Sequence, residues 1–249
     1  MTKHTIILLI ITMSLSLPVA SYKVSANPAI HKPVKQVYFI SGLGADKRVF
    51  EKLNLHPSIS VRHIEWIKPL RKETIAHYAS RLIAQMDTTR PFVLVGLSFG
   101  GIIASELADI TSPEKVIIIS STSTGVPVSP FNQKLLKFLL ASPLAAPILK
   151  HPSSLVYNYF GANTPELKFL LDKILKDTDA KFLKWALAGM SKWSRHQKTP
   201  GLYHIHGSAD KLIPLKLVSP NAIIENGGHL MVYAQAGEIS ELINAEIYK

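Results

Sequence analysis

The sequence predicts an α/β fold with a mostly parallel sheet of about six strands and helices on both faces. Three observations carry this reading. Short apolar runs alternate with amphipathic helical patterns along most of the chain, as βαβ units require. The run at residues 92–96 is mostly apolar without alternation, which marks a strand buried on both faces. The chain has 249 residues, 47% of them hydrophobic, enough for one large core with an inserted segment.

Taken in order, residues 1–26 stand apart from the rest. Lys3 and His4 form a short basic start, residues 5–17 are an uncharged apolar run, and Val24-Ser25-Ala26 offers small residues to a signal peptidase. The expectation is export with cleavage after Ala26; cleavage after Ala20 and an uncleaved N-terminal anchor are the alternatives. Residues 35–41 read as a first strand, broken at Gly42-Leu43-Gly44, with Asp46 as the cap of a helix through Leu53. Residues 60–66 read as a second strand, and 73–86 as a helix with Ile75, Tyr78, Ala79, Leu82 and Ile83 on one face. The strand at 92–96 and a helix ending near Ile110 follow, then strands at 115–120, 201–206 and 221–225 and a closing helix over 231–248.

Residues 125–200 break the alternation. They show helical patterns at 131–141, 165–176 and 179–194, punctuated by Pro143, Pro147, Pro152 and Gly161. A structureless loop of that length is uncommon in a compact domain, so a helical cap over the strand ends is expected. The division is therefore a leader at 1–26, a core at 27–124 and 201–249, and a cap at 125–200. The cap carries eleven Lys and Arg against four acids, a large share of the chain's formal charge of +11. A solvated outer face accounts for that excess; weak association with an anionic membrane surface is the sharper alternative. No nucleic-acid motif is present, and the absence of cysteine excludes disulfides, a thiol nucleophile and thiolate zinc sites.

Residues 96–100, Gly-Leu-Ser-Phe-Gly, lie between a buried strand and an amphipathic helix. A serine hydroxyl is a weak nucleophile near neutrality and needs an adjacent base and donors for the developing oxyanion. A sharp strand-to-helix turn meets both needs, because it lifts the hydroxyl of Ser98 above the sheet and leaves the amide of Phe99 facing the reaction centre. A turn serving packing alone is the alternative. Of ten histidines, His229 follows two glycines on the loop after the last strand, where an imidazole can bend back towards a strand end. Asp210 falls just past a strand end between Ser98 and His229, suited to orient the base, although a turn-capping role fits it too. The slot after residues 115–120 offers no acid. The Gly42-Leu43-Gly44 turn places the amide of Leu43 as a second oxyanion donor beside that of Phe99. His204 and His206 read as core or turn residues.

Together, Phe-Ile-Ser-Gly-Leu-Gly (39–44), Gly-Leu-Ser-Phe-Gly-Gly (96–101), Ile-His-Gly-Ser-Ala-Asp (205–210) and Gly-Gly-His (227–229) resemble the α/β-hydrolase superfamily over essentially the whole mature chain. The resemblance implies a Ser98–His229–Asp210 triad, the amides of Leu43 and Phe99 as oxyanion hole, an inserted helical cap, and neither cofactor nor metal. Two departures stand out. Ser41-Gly42 replaces the His-Gly that many members carry, so different hydrogen bonding is expected behind that turn. Only about ten residues precede the first strand after Ala26, so the antiparallel pair that often opens the fold is expected to be missing.

The expected activity is that of an exported carboxylesterase acting on small to medium acyl esters. Thioesterase, amidase or lipase activity would use the same residues. A non-catalytic ligand-binding protein and a cofactor-free peroxidase-like or C–C-cleaving enzyme are the readings from other classes. Phe131, Phe138, Trp185 and Trp193 of the cap are candidates to line an apolar acyl site.

Overall fold

A computed structural model of the protein describes residues 35–125 and 153–249. The expected leader, and within the expected cap the 131–141 helix with Phe131 and Phe138, lie outside the described residues.

Six strands form one sheet in the order β2-β1-β3-β4-β5-β6: β1 Lys35–Ile40, β2 Ile59–Ile64, β3 Phe92–Leu97, β4 Lys115–Ile119, β5 Leu202–Gly207 and β6 Ala222–Ile224. Every neighbouring pair is parallel. The register sets Ile40 beside Gly96, Leu97 beside Ile119 and Gly207 beside Ile224, so the carboxyl ends of β1, β3, β4, β5 and β6 open onto one rim. Central β3 is buried at all six positions, which is why its sequence is apolar without alternation. Edge strand β2 exposes its middle and carries Arg62 and His63 there, a composition that discourages pairing with another chain.

Helices cover both faces. Helix α1 (Ile75–Leu82) and α2 (Phe99–Thr111) pack with Tyr38, Ile40, Leu94 and Ile118 on one side. On the other, α6 (Met231–Ala234) and α7 (Ala236–Ile247) bring Met231, Ile239, Ile243 and Ile247 against Val37, Val95 and Ile117. Three expected helices differ in form. The one after Asp46 is a single 3₁₀ turn, Lys47–Phe50. The 73–86 helix is α1, capped by the Thr74 hydroxyl accepting from the His77 amide and continued as a 3₁₀ turn to Gln85. The closing helix is two helices, because Gln235 leaves the helical region (φ −123°, ψ 39°) and its side-chain amide donates to the Glu225 carbonyl.

Residues 153–190 hold α3 (Ser154–Phe160), α4 (Pro165–Asp177) and α5 (Ala180–Met190). The first was not expected. It has only seven residues rich in Val, Tyr and Phe, weak helix formers, and its signals are its punctuation: Ser153 caps the start and Gly161 ends it at φ 69°. Phe182 and Ala186 of α5 join the cluster around Tyr78 and Phe99. The Trp185 indole donates to the Glu73 carbonyl (2.9 Å) and the Trp193 indole to Glu106 Oε1 (2.6 Å). Each is amphipathic, with one donor and a broad apolar face, and both half-buried rings help dock this segment on the core. Buried Arg195 holds Asp109 with two nitrogens and donates to the carbonyls of Ser123 and Gln197, tying the end of the expected cap to the chain just before it. Among the described residues no helix is long and apolar enough to cross a membrane.

Candidate active site

The site lies on the rim where β1, β3, β5 and β6 end. Ser98 joins β3 to α2 at φ 52°, ψ −119°, a backbone conformation costing an L-residue about 1–3 kcal/mol. Its surroundings hold it there. The Ser98 amide donates to the Ile119 carbonyl (2.9 Å), and the Ser121 hydroxyl donates to the Ser98 carbonyl (2.6 Å). A Cβ on Gly96 would lie 2.4 Å from the Gly100 carbonyl oxygen, so the turn closes only around glycine.

His229 bridges the other two groups. Its Nε2 is 2.8 Å from Ser98 Oγ and its Nδ1 is 2.8 Å from Asp210 Oδ2. Asp210 Oδ1 accepts from the amides of Leu212 and Ile213, both at 2.9 Å. The carboxylate is therefore fixed with Oδ2 towards the imidazole. A carboxylate only accepts, so Nδ1 carries the proton and Nε2 offers its lone pair to the Ser98 hydroxyl. Asp210 and His229 are both buried, while Ser98 is half-buried. Burial by itself would raise the Asp210 pKa. The positive charge that His229 can carry, its hydrogen bond and the Ile213 amide together outweigh burial and hold the carboxyl below its ordinary value.

Two neighbours were not assigned to the site from the sequence: Phe160, and His206, which was read as a core or turn residue and is buried. The Phe160 ring at the end of α3 meets the His229 imidazole edge-on, centroids 5.8 Å apart, and its carbonyl accepts from the Leu230 amide (3.2 Å). No sequence signal placed it there, since α3 itself was not expected. His206 stands behind Asp210, fully buried, with Nε2 at 2.7 Å from the Ile213 carbonyl oxygen and 3.7 Å from Asp210 Oδ2. Its Nδ1 lies 3.1 Å from His204 Nε2. Because Nε2 donates to Ile213, Nδ1 accepts from His204, and both rings are neutral. Their spacing of two along a strand, which puts both on one face, was the available signal.

Burial lowers the pKa of His206 against the opposing pull of the Ile213 carbonyl and Asp210, and burial with repulsion from His206 pushes His204 down to about 3. In the unfolded chain both protonate near the ordinary value of about 6.5. Between that pH and the folded pKa the unfolded state binds more protons, so stability falls as the pH falls, by up to about 1.4 kcal/mol per pH unit for each histidine. Urea unfolding at several pH values is expected to show a shallower acid loss in His204→Gln than in the wild type. An unchanged slope would contradict this account.

Gly42 to Ala45 form a turn closed by the Ala45 amide donating to the Gly42 carbonyl (2.9 Å), with Gly44 at φ 71°. Among the described residues, no backbone hydrogen bond uses the amide of Leu43 or of Phe99. A Cβ on Gly42 would sit 3.5 Å from the Ser98 Cβ, so the turn runs directly beside the serine. Asp46, further along, accepts from the Arg48 amide and guanidinium, the chief cause of its lowered pKa. Among the described residues no cluster of three or more His, Asp or Glu side chains is arranged to hold a metal ion.

A parallel sheet with Ser, His and Asp brought together at its carboxyl rim defines an α/β protein of hydrolase architecture. The chain belongs to the alpha/beta hydrolase family, whose model matches residues 37–242. No curated protein matches it by sequence. Solved structures share the fold at low identity. An esterase from Exiguobacterium antarcticum is 15% identical, covering 87% of this chain and 93% of that one, with a TM-score of 0.65. A bromoperoxidase from Bacillus anthracis is 17% identical, covering 88% and 94%, with a TM-score of 0.64. A meta-cleavage product hydrolase from Pseudomonas fluorescens is 15% identical, covering 87% and 91%, with a TM-score of 0.63.

Proposed function

We propose that the protein is an exported serine hydrolase, a carboxylesterase that cleaves small to medium acyl esters through an acyl-enzyme on Ser98. The observation that carries this reading is the placement of His229 at 2.8 Å from both Ser98 Oγ and Asp210 Oδ2. His229 Nε2 takes the hydroxyl proton as Oγ attacks the ester carbonyl. The tetrahedral oxyanion accepts from the amides of Leu43 and Phe99. Collapse expels the alcohol, which takes the proton back from Nε2, and water then attacks the acyl-enzyme with the same base. Asp210 keeps the imidazole in the Nδ1–H form and stabilises the imidazolium without being protonated.

The esterase fold-mates support an ester substrate, and the bromoperoxidase and meta-cleavage hydrolase show that one architecture carries other activities as well. A pure binding protein has no use for three groups in register, one of them on a strained backbone, which favours the enzyme. The test is fluorophosphonate labelling of the purified protein and of Ser98→Ala, with p-nitrophenyl esters of increasing chain length on the same preparations. Loss of both labelling and turnover in the variant is expected. A folded wild type that does not label would move the binding reading to the front. Export is checked by the N-terminal residue of the secreted protein, expected to be Asn27.

A further inference from the structure

The Gly42–Ala45 turn is short of internal restraint: two of its four residues are glycine and a single backbone hydrogen bond closes it. At one end it is held by β1, whose Ile40 pairs with Gly96. At the other end it is gripped by the side chain of the flanking Ser41 and by two from distant stretches, Trp66 and Thr178. The Ser41 hydroxyl donates to the Ala45 carbonyl at 2.7 Å, and the Trp66 indole donates to the same oxygen at 2.9 Å. Both lone pairs of that carbonyl are thereby used. From the end of α4, Thr178 lies against Gly44, its Oγ1 3.2 Å from the Gly44 carbonyl oxygen and 2.7 Å from that of Ile174. One hydroxyl hydrogen shared between two acceptors is a weak tether, and packing does the remainder: a Cβ on Gly44 would be 2.3 Å from Thr178 Oγ1. Next along, Arg48 joins Asp46 to Asp177 at the end of α4.

Trp66 links more than the turn. Its ring packs against Phe99 (centroids 5.5 Å apart) and against Phe182 of α5 (5.3 Å). It therefore touches the turn that carries the Leu43 amide, the residue that carries the Phe99 amide, and the helical segment inserted between β4 and β5. We propose that Trp66, Ser41 and Thr178 are positioning residues that hold the Leu43 amide on the oxyanion of the reaction, so that the inserted segment is part of the catalytic apparatus as well as a cover. The proposal rests on the serine-hydrolase reading. It also accounts for Ser41: a hydroxyl that shares the Ala45 carbonyl with the Trp66 indole fastens the turn from behind.

The test uses the full chain with Trp66→Phe, Ser41→Ala, the double variant, Thr178→Val and Thr178→Ser, each checked for an unfolding transition like that of the wild type. Loss of a whole oxyanion donor costs on the order of a hundredfold or more in kcat, so loosening one is expected to cost roughly tenfold in Trp66→Phe and more in the double variant. KM for p-nitrophenyl butyrate is expected to stay within about twofold, since ground-state binding does not depend on the oxyanion contact. Affinity for phenylboronic acid, which forms a tetrahedral adduct on the serine, is expected to fall in step with kcat. Because packing on Gly44 outweighs the shared hydrogen bond, Thr178→Val, which keeps the shape, should retain more activity than Thr178→Ser, which loses the methyl. Folded variants with wild-type kcat and boronate affinity, in an enzyme that labels with fluorophosphonate, would overturn the clamp and leave the hydrolase reading standing. Absence of labelling in the wild type would remove the hydrolase reading first, and the clamp with it. If Trp66→Phe does not fold, the Thr178 pair decides.

Discussion

Asp210→Asn is expected to lower kcat by about four orders of magnitude while the chain remains folded. The amides of Leu212 and Ile213 both donate to Oδ1, so an asparagine keeps its carbonyl oxygen there and turns its NH₂ towards His229. Facing a donor, Nδ1 becomes the acceptor and the ring proton moves to Nε2, which then donates to Ser98 Oγ in place of accepting from it. The base is lost without any change of shape. Ester turnover by the variant, with its unfolding transition recorded alongside, checks this. A loss of less than tenfold in a folded variant would mean that Asp210 does not set the tautomer.

Gly100→Ala is expected to cost the fold itself. An added Cβ would lie 2.2 Å from the Ile40 carbonyl oxygen and 2.4 Å from that of Ser41, both backbone atoms at the end of a central strand. Overpacked side chains can rotate away at about 1–3 kcal/mol, but here strand and helix would have to separate. The outcome is insoluble protein or a melting temperature lowered by roughly 10 °C, from about 2–4 °C per kcal/mol at this chain length. Gly237→Ala in α7 is the contrast, since nothing lies within 4 Å of its Cβ and alanine favours a helix interior by up to about 1 kcal/mol. Thermal unfolding of the two variants side by side separates them. Equal melting temperatures would show that the Gly100 contact is not what closes the turn.

The sheet, and Ser98, Asp210 and His229 as candidates at its strand ends, were legible in the amino-acid pattern. Both are local signals repeated along the chain. A strand covered on two faces must be apolar without alternation, as residues 92–97 are, and a reactive side chain at the end of a parallel strand is announced by the glycines that let the backbone turn there. Strand ends read from the sequence fall within one or two residues of those observed because burial and pairing stop together.

Other features depend on contacts between parts of the chain far apart in sequence. That Trp185 and Trp193 dock the inserted segment depends on what an indole N–H finds across the chain, here Glu73 and Glu106, and no local pattern records a partner that distant. The break at Gln235 follows from one side-chain bond to the carbonyl of Glu225. His206 touches Asp210 because β5 runs straight into the loop that carries the carboxylate, and the grip on one turn joins its flanking Ser41 with Trp66 and Thr178 from two distant stretches. Polar contacts of this kind are specified by geometry in three dimensions, whereas the periodicity of a sequence reports burial. It therefore discloses which residues lie inside, and leaves to the folded chain what they meet there.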